Sequence, residues 1–173
     1  MAELRITHHE ILLPVRAGFI VLTLIAALLA NLLPWSGVAL WIKPDFVALV
    51  VLYWCIEQPR RVGFAAAWVL GLVMDVADGT LFGQHALAYS ILAYAGIVLH
   101  RRVLGFTGTA QALHVVILLL MNDLIVLVVR ALAGADFPGF QYFIGSFVAG
   151  ALWLPLGVLL KLPQRRRLDP DHV

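Results

Sequence analysis

Six apolar stretches, each separated from the next by charged or Pro/Gly-rich residues, leave this chain few folds to choose from. They run over about 16–35, 44–58, 61–78, 83–100, 110–132 and 140–162. A helix crossing the hydrocarbon core of a bilayer takes about 20 apolar residues. Hydrophobic residues make up 62% of the 173-residue chain, and mean hydropathy is +0.96; soluble domains run at about 45–50% apolar. The expected fold is an all-α integral membrane protein with six transmembrane helices in one polytopic domain over residues 1–173. Short tails fall at about 1–15 and 163–173. The second and third stretches are short. About 15 helical residues rise only about 22 Å, so the bilayer must thin there or flanking residues must snorkel, and four or five crossings are the alternatives.

Basic residues decide between these counts. With the N-terminus in the cytoplasm and six crossings, Arg5, Arg16, Arg60, Arg61, Arg101, Arg102, Lys161, Arg165, Arg166 and Arg167 lie inside. Only Lys43 and Arg130 lie outside. This is the positive-inside distribution, with both termini cytoplasmic. Removing any one crossing puts an arginine pair on the wrong side. Net charge is only +2, so the pI of about 9.0 reflects topology and gives no argument for nucleic acid. Asn31-Leu-Leu-Pro-Trp35 offers no small-residue cleavage site, so the first stretch is expected to be retained. Trp35, Trp41, Trp54 and Trp153 lie near span ends, where interfacial belts are enriched in Trp. The single Cys55 allows no internal disulfide or Cys-based metal cluster and reads as a small apolar residue in a helix.

Within the third span a small or special residue recurs every fourth position: Gly63, Ala67, Gly71, Asp75, Gly79, Gly83. Small residues at this spacing let helix backbones approach closely in lipid. Each step of four advances the direction by about 40°, so they form a winding ridge suited to one crossing contact. That contact is either internal packing or a docking face for another membrane protein, centred on Gly63, Ala67 and Gly71. Gly145 and Gly150 of the last span, with Ser146 and Ala149, form a second such face, and Pro155 should kink that helix.

Polar residues in the spans are the candidates for chemistry. Lys43-Pro44-Asp45 reads as a helix start, with Pro in the first turn and Asp45 near the positive end of the dipole. Asp75 and Asp78 share a helix face. They either cap backbone N–H groups of the turn through Gly79 and Gly83, or act as a carboxylate pair for proton or cation handling. His85 is near in sequence, at a spacing too loose for a metal site. Asn122 and Asp123 lie deepest, and an aspartate there costs about 2.5–3.5 kcal/mol on insertion scales. Asp123 must therefore face the bundle, pair or be protonated. Arg130 lies seven residues on but is drawn toward the outer interface. Gln111 and His114 do not continue a stripe with Asn122 and Asp123, which argues against a proton wire. Asp75, Asn122 and Asp123 are the candidate lining of an outward-opening pocket. Arg60, Arg61, Arg101, Arg102 and the basic tail are candidate cytoplasmic contacts, the tail also suiting an anionic leaflet. No Gly-x-Ser-x-Gly, His-Glu-x-x-His, P-loop or dinucleotide pattern occurs. The residues imply no cofactor, no metal and no catalytic group.

Several segments carry a resemblance when read in order. They are Asn31-Leu-Leu-Pro-Trp35, Lys43-Pro44-Asp45-Phe46, Leu52-Tyr53-Trp54 with Pro59-x-Arg61-Val62, Gly71-x-x-x-Asp75-x-x-x-Gly79-x-x-x-Gly83, and Gly150-Ala-Leu-Trp153-x-Pro155. From about residue 20 to the basic tail the chain resembles the MreD family of rod shape-determining proteins of Gram-negative bacteria. That resemblance implies a multi-pass inner-membrane subunit of the cell-elongation machinery. Its partners would be MreC (a single-span periplasmic scaffold), the actin-like MreB, and the glycosyltransferase RodA with its class B penicillin-binding transpeptidase. It also implies a fold similar to the substrate-binding subunits of energy-coupling-factor vitamin transporters. Lys43, Pro44, Asp45, Gly71, Asp75, Gly79 and Gly83 match the family pattern; Asp78 and His85 have no place in it. A non-enzymatic scaffold is the leading expectation. A small-molecule or lipid-binding subunit is the alternative, and an intramembrane enzyme resting on the carboxylates is the third.

Overall fold

The computed structural model describes residues 15–164 except 38, 40 and 41. Expectations placed on residues 1–14, on Trp41 and on the tail from Arg165 onward lie outside the described residues. Among the described residues there are six α-helices and no strands: α1 Ala17–Leu32, α2 Phe46–Glu57, α3 Phe64–Ala77, α4 Gln84–Leu104, α5 Gly108–Leu132 and α6 Ile144–Lys161. Short 3₁₀ segments, Phe140–Phe143 and Leu162–Gln164, extend α6 at its two ends. Each of the six apolar stretches holds one helix. α4 runs past Arg101 and Arg102, because basic residues in a last turn complement the helix dipole and do not end the helix. Three helical segments, Gln84–Leu104, Gly108–Leu132 and Phe140–Gln164, are long and apolar enough to cross a membrane alone; α1, α2 and α3 are shorter apolar helices.

α2 is the centre of the bundle. All residues from Val47 to Ile56 are buried, and α1, α4, α5 and α6 pack around it. A helix apolar on every side belongs in a core. Its twelve residues rise only about 18 Å, far short of the roughly 30 Å hydrocarbon thickness. Shortness is tolerated because protein, not lipid, meets the polar ends of α2. At its start Asp45 caps Ala48 N at 3.0 Å. Beyond its other end, Glu57 meets Lys161 of α6 at 2.6 Å.

Trp54 and Trp153 are corrected from interfacial to interior positions, with 0% and 4% exposure. Their indole N–H groups explain how: Trp54 donates to Thr23 Oγ1 at 2.9 Å and Trp153 to Gln111 Oε1 at 3.3 Å. Satisfied indoles can leave the interface, and both rings pack on Tyr53.

The small residues are spent inside the chain. A Cβ on Gly71 would fall 2.4 Å from Ala86 Cα, so α3 and α4 touch backbone to backbone there. Ala67, on the same helix, is 0% exposed. A Cβ on Gly145 would meet the Lys43 carbonyl oxygen at 2.5 Å, and one on Gly150 would meet Val116 Cγ2 of α5 at 2.1 Å. Gly63 has open space around it and simply precedes α3. Of the two readings, the contacts at Ala67, Gly71, Gly145 and Gly150 fit internal packing, since this chain's own segments cover their surfaces.

The contrast between two glycines is testable. Gly71→Ala should lower stability by about 1–3 kcal/mol, since backbone cannot yield as a side chain can. Gly63→Ala, with no atom within 4 Å, should stay within about 0.5 kcal/mol of wild type. Thermal unfolding of the purified proteins in one detergent checks both.

Candidate functional site

Asp75 is the most heavily used side chain in the structure. It lies in the last turn of α3 and is 1% exposed. Its Oδ2 accepts from Gly83 N at 2.8 Å and, more weakly, from Ala86 N at 3.4 Å. Its Oδ1 accepts from His85 N at 2.7 Å and meets His85 Nδ1 at 2.9 Å. These donors are the free N–H groups at the start of α4, where the dipole also favours an anion. Local geometry makes this reachable. Asp78 closes α3, Gly79 follows with φ +60°, and Gly79 N and Thr80 N bond back to Val76 O (3.3 Å) and Asp75 O (3.1 Å). This is a Schellman ending, which needs a left-handed residue. Gly83, at φ +100°, then turns the chain into α4.

A second cluster ties three helices together. Asn31 at the end of α1 donates to Asp45 Oδ1 at 2.9 Å, and its own Oδ1 accepts from Phe46 N at 2.9 Å. Tyr89 of α4 donates to Asp45 Oδ2 at 2.6 Å. Lys43 Nζ donates to the Asn31 carbonyl at 2.7 Å. On the opposite side of the bundle, Ser146 of α6 donates to Asp123 Oδ2 of α5 at 2.5 Å. The side chain that donates to Asp123 is thus a hydroxyl, at one oxygen, and not Arg130.

Between these clusters lies a cavity of about 390 Å³. Asn31, Lys43, Asp45, Asp78, His85, Asn122, Asp123, Gln141, Tyr142 and Ser146 contribute its polar lining; Met74, Leu119 and Val126 contribute apolar walls. Asn122 and Asp123 face it. Asp75 is corrected: it stands behind His85 and Gly83, consumed by the α4 start, and is absent from the lining. Sequence reasoning passed over Asn31, Tyr89 and Ser146 as site residues and gave His85 no place. The available signal was that all four are hydrogen-bonding side chains at the same end of their spans, the end that charge counting puts outside. Among the described residues no group of three or more His, Cys, Asp or Glu side chains could hold a metal.

At the opposite end lie the arginines. Arg60, Arg61, Arg101 and Arg102 are all exposed, and the Arg61 guanidinium also donates to the Val15 carbonyl oxygen. Arg61 is thus tied to the chain before α1. A third feature lies on the outside of the bundle. α1 packs on α2 and α3 packs on α4, and between α1 and α3 lies an apolar groove of about 410 Å³. Val21, Ile25 and Leu28 form one wall and Ala65, Ala66 and Val69 the other.

Two carboxylates of one helix end separate cleanly by mutation. Asp75→Asn should cost about 2–4 kcal/mol, because charge-assisted bonds to several buried N–H groups are lost. Asp78→Asn, an exposed position, should change stability by less than about 0.5 kcal/mol. Unfolding midpoints in detergent, with helicity followed by circular dichroism, give the comparison.

Comparison with known proteins adds the following. Residues 15–162 match the family described as rod shape-determining protein MreD. The chain is 30% identical over 146 residues to the rod shape-determining protein MreD of Haemophilus influenzae, covering 82% of this chain and 88% of that one. No solved structure matches.

Proposed function

Because this chain belongs to the MreD family of rod shape-determining proteins, we propose that it is a non-enzymatic inner-membrane scaffold of the cell-elongation machinery, receiving the membrane span of MreC in the groove between α1 and α3. The observation that carries this reading is the groove itself. It is wholly apolar and runs along two helices, and Ala65 and Ala66 on one wall let another backbone approach. The better-known small residues, Gly71 and Gly150, are already covered. Both termini are cytoplasmic in this reading. Arg16, Arg60, Arg101, Arg102 and Lys161 then gather at the cytoplasmic end, following the positive-inside rule. There Arg60, Arg101 and Arg102 offer contacts to MreB, while RodA and its class B transpeptidase are reached through MreC or along the remaining lipid-facing helices.

Cysteine crosslinking in membranes tests the docking site. Ala66→Cys and Ile25→Cys should crosslink to a cysteine series in the MreC span, and Leu113→Cys, on the exposed face of α5, should not. Ala66→Leu should reduce co-purification of MreC roughly tenfold, the equivalent of about 1.4 kcal/mol of helix packing. Equal crosslinking from all three sites would sink the assignment.

A second reading, a small-molecule or lipid-binding membrane subunit, is favoured by one observation: the polar cavity at the outer end. An interior closed by Phe and Leu side chains would have opposed it. Instead ten polar side chains converge on about 390 Å³, within the usual size of ligand sites.

A further inference from the structure

The chemistry of the outer cavity specifies what would fill it. Three carboxylates line it, Asp45, Asp78 and Asp123. Asp45 is satisfied by Ala48 N, Asn31 and Tyr89. Asp123 is not: among the described residues only Ser146 donates to it, at one oxygen. Beside it Asn122, 1% exposed, presents an Oδ1 with no hydrogen-bond partner among the described residues. A buried amide oxygen without a donor is costly, and it lies in a helix where a Leu would insert without penalty. Carboxylate, amide oxygen and hydroxyl together are acceptors in search of a donor-rich cation. Across the cavity stands Lys43, whose ammonium spends one of its three N–H donors on the Asn31 carbonyl. Its backbone carbonyl abuts Gly145, next to Ser146, so the Lys43 segment borders the helix that carries Ser146.

We propose that this cavity binds a zwitterion, with a primary ammonium held by Asp123 and Asn122 and an anionic group held by Lys43. Phosphoethanolamine has this chemistry, whether as a lipid headgroup or as a free small molecule. The proposal rests on the ligand-binding reading of the cavity and adds the ligand's class. A quaternary trimethylammonium carries the same charge but no N–H, so it leaves the Asn122 oxygen unpaired and should be rejected.

Native mass spectrometry of the detergent-purified full chain tests this with four probes. They are phosphatidylethanolamine, phosphatidylcholine, phosphatidylglycerol and water-soluble phosphoethanolamine. Phosphatidylethanolamine should bind about tenfold or more tighter than phosphatidylcholine, the difference expected for a lost charge-assisted hydrogen bond. Asp123→Asn should abolish that preference and Leu113→Ala should keep it, each variant first checked for a monodisperse elution profile. Should Asp123→Asn aggregate, Asn122→Leu replaces it, and the wild-type comparison of headgroups still decides. Binding of soluble phosphoethanolamine equal to that of the lipid assigns a free ligand; binding only with acyl chains assigns a lipid. Equal retention of the two zwitterionic lipids, or an unchanged preference in the variant, overturns the ammonium site. Selective binding of phosphatidylglycerol also overturns it while leaving a ligand cavity. Binding of none of the four overturns both readings.

Discussion

The Asp75 carboxylate on the start of α4 is the interaction around which the rest of the structure is arranged. It belongs to one helix and satisfies the free N–H groups of the next, so it sets the closest seam in the bundle. Gly71, one turn earlier, makes that seam possible by letting the α4 backbone come closer than any side chain would permit. With α4 placed, Tyr89 is delivered to Asp45 and the start of α2 is held. Gly96, further along α4, packs on Leu52 and Cys55 of α2. α4 thus carries information from the α3 turn to the central helix.

A short central helix has a consequence for the membrane. Because α2 ends well inside the thickness of a bilayer, its polar caps must be supplied by neighbours. Asn31, Lys43, Asp45 and Tyr89 do this at one end, and Glu57 with Lys161 at the other. The polar layer around Asp45 is where α5 and α6 leave room for the cavity. Cavity and short helix are two aspects of one packing solution: α2 stops early, and the space above it is lined by the groups that stopped it.

Much of this was legible in the residues. Six apolar stretches and the arginine sorting announce six helices, and the helices are there. The turn chemistry of Asp75, Gly79 and Gly83 could be read because it is local: a left-handed glycine and a carboxylate one turn back need no tertiary knowledge. The roles of Gly71, Gly145 and Gly150 could not be read. A glycine ridge says that something approaches closely, but not whether the approaching backbone belongs to the same chain. Trp54 and Trp153 misled for a related reason, since an indole near a span end suits either an interface or an interior partner. Which one holds depends on Thr23 and Gln111, residues far away in sequence.

What the sequence alone determined is the class of solution. Hydropathy is summed along the chain, and a bilayer reads it segment by segment, so the number of helices follows without knowing any contact. Only the tertiary structure decided which polar groups meet. Asn31, Asp45 and Tyr89 come from three helices, and Asp123 and Ser146 from two more; their pairing depends on rotation about each helix axis, which no periodicity in so uniformly apolar a chain specifies. The same rotation turns Asn122 into the cavity with its oxygen unpaired, and turns Ala65 and Ala66 outward to the groove. Helix rotation, set by the close fit of Gly71 on Ala86 and Gly150 on Val116, separates a filled core from a cavity.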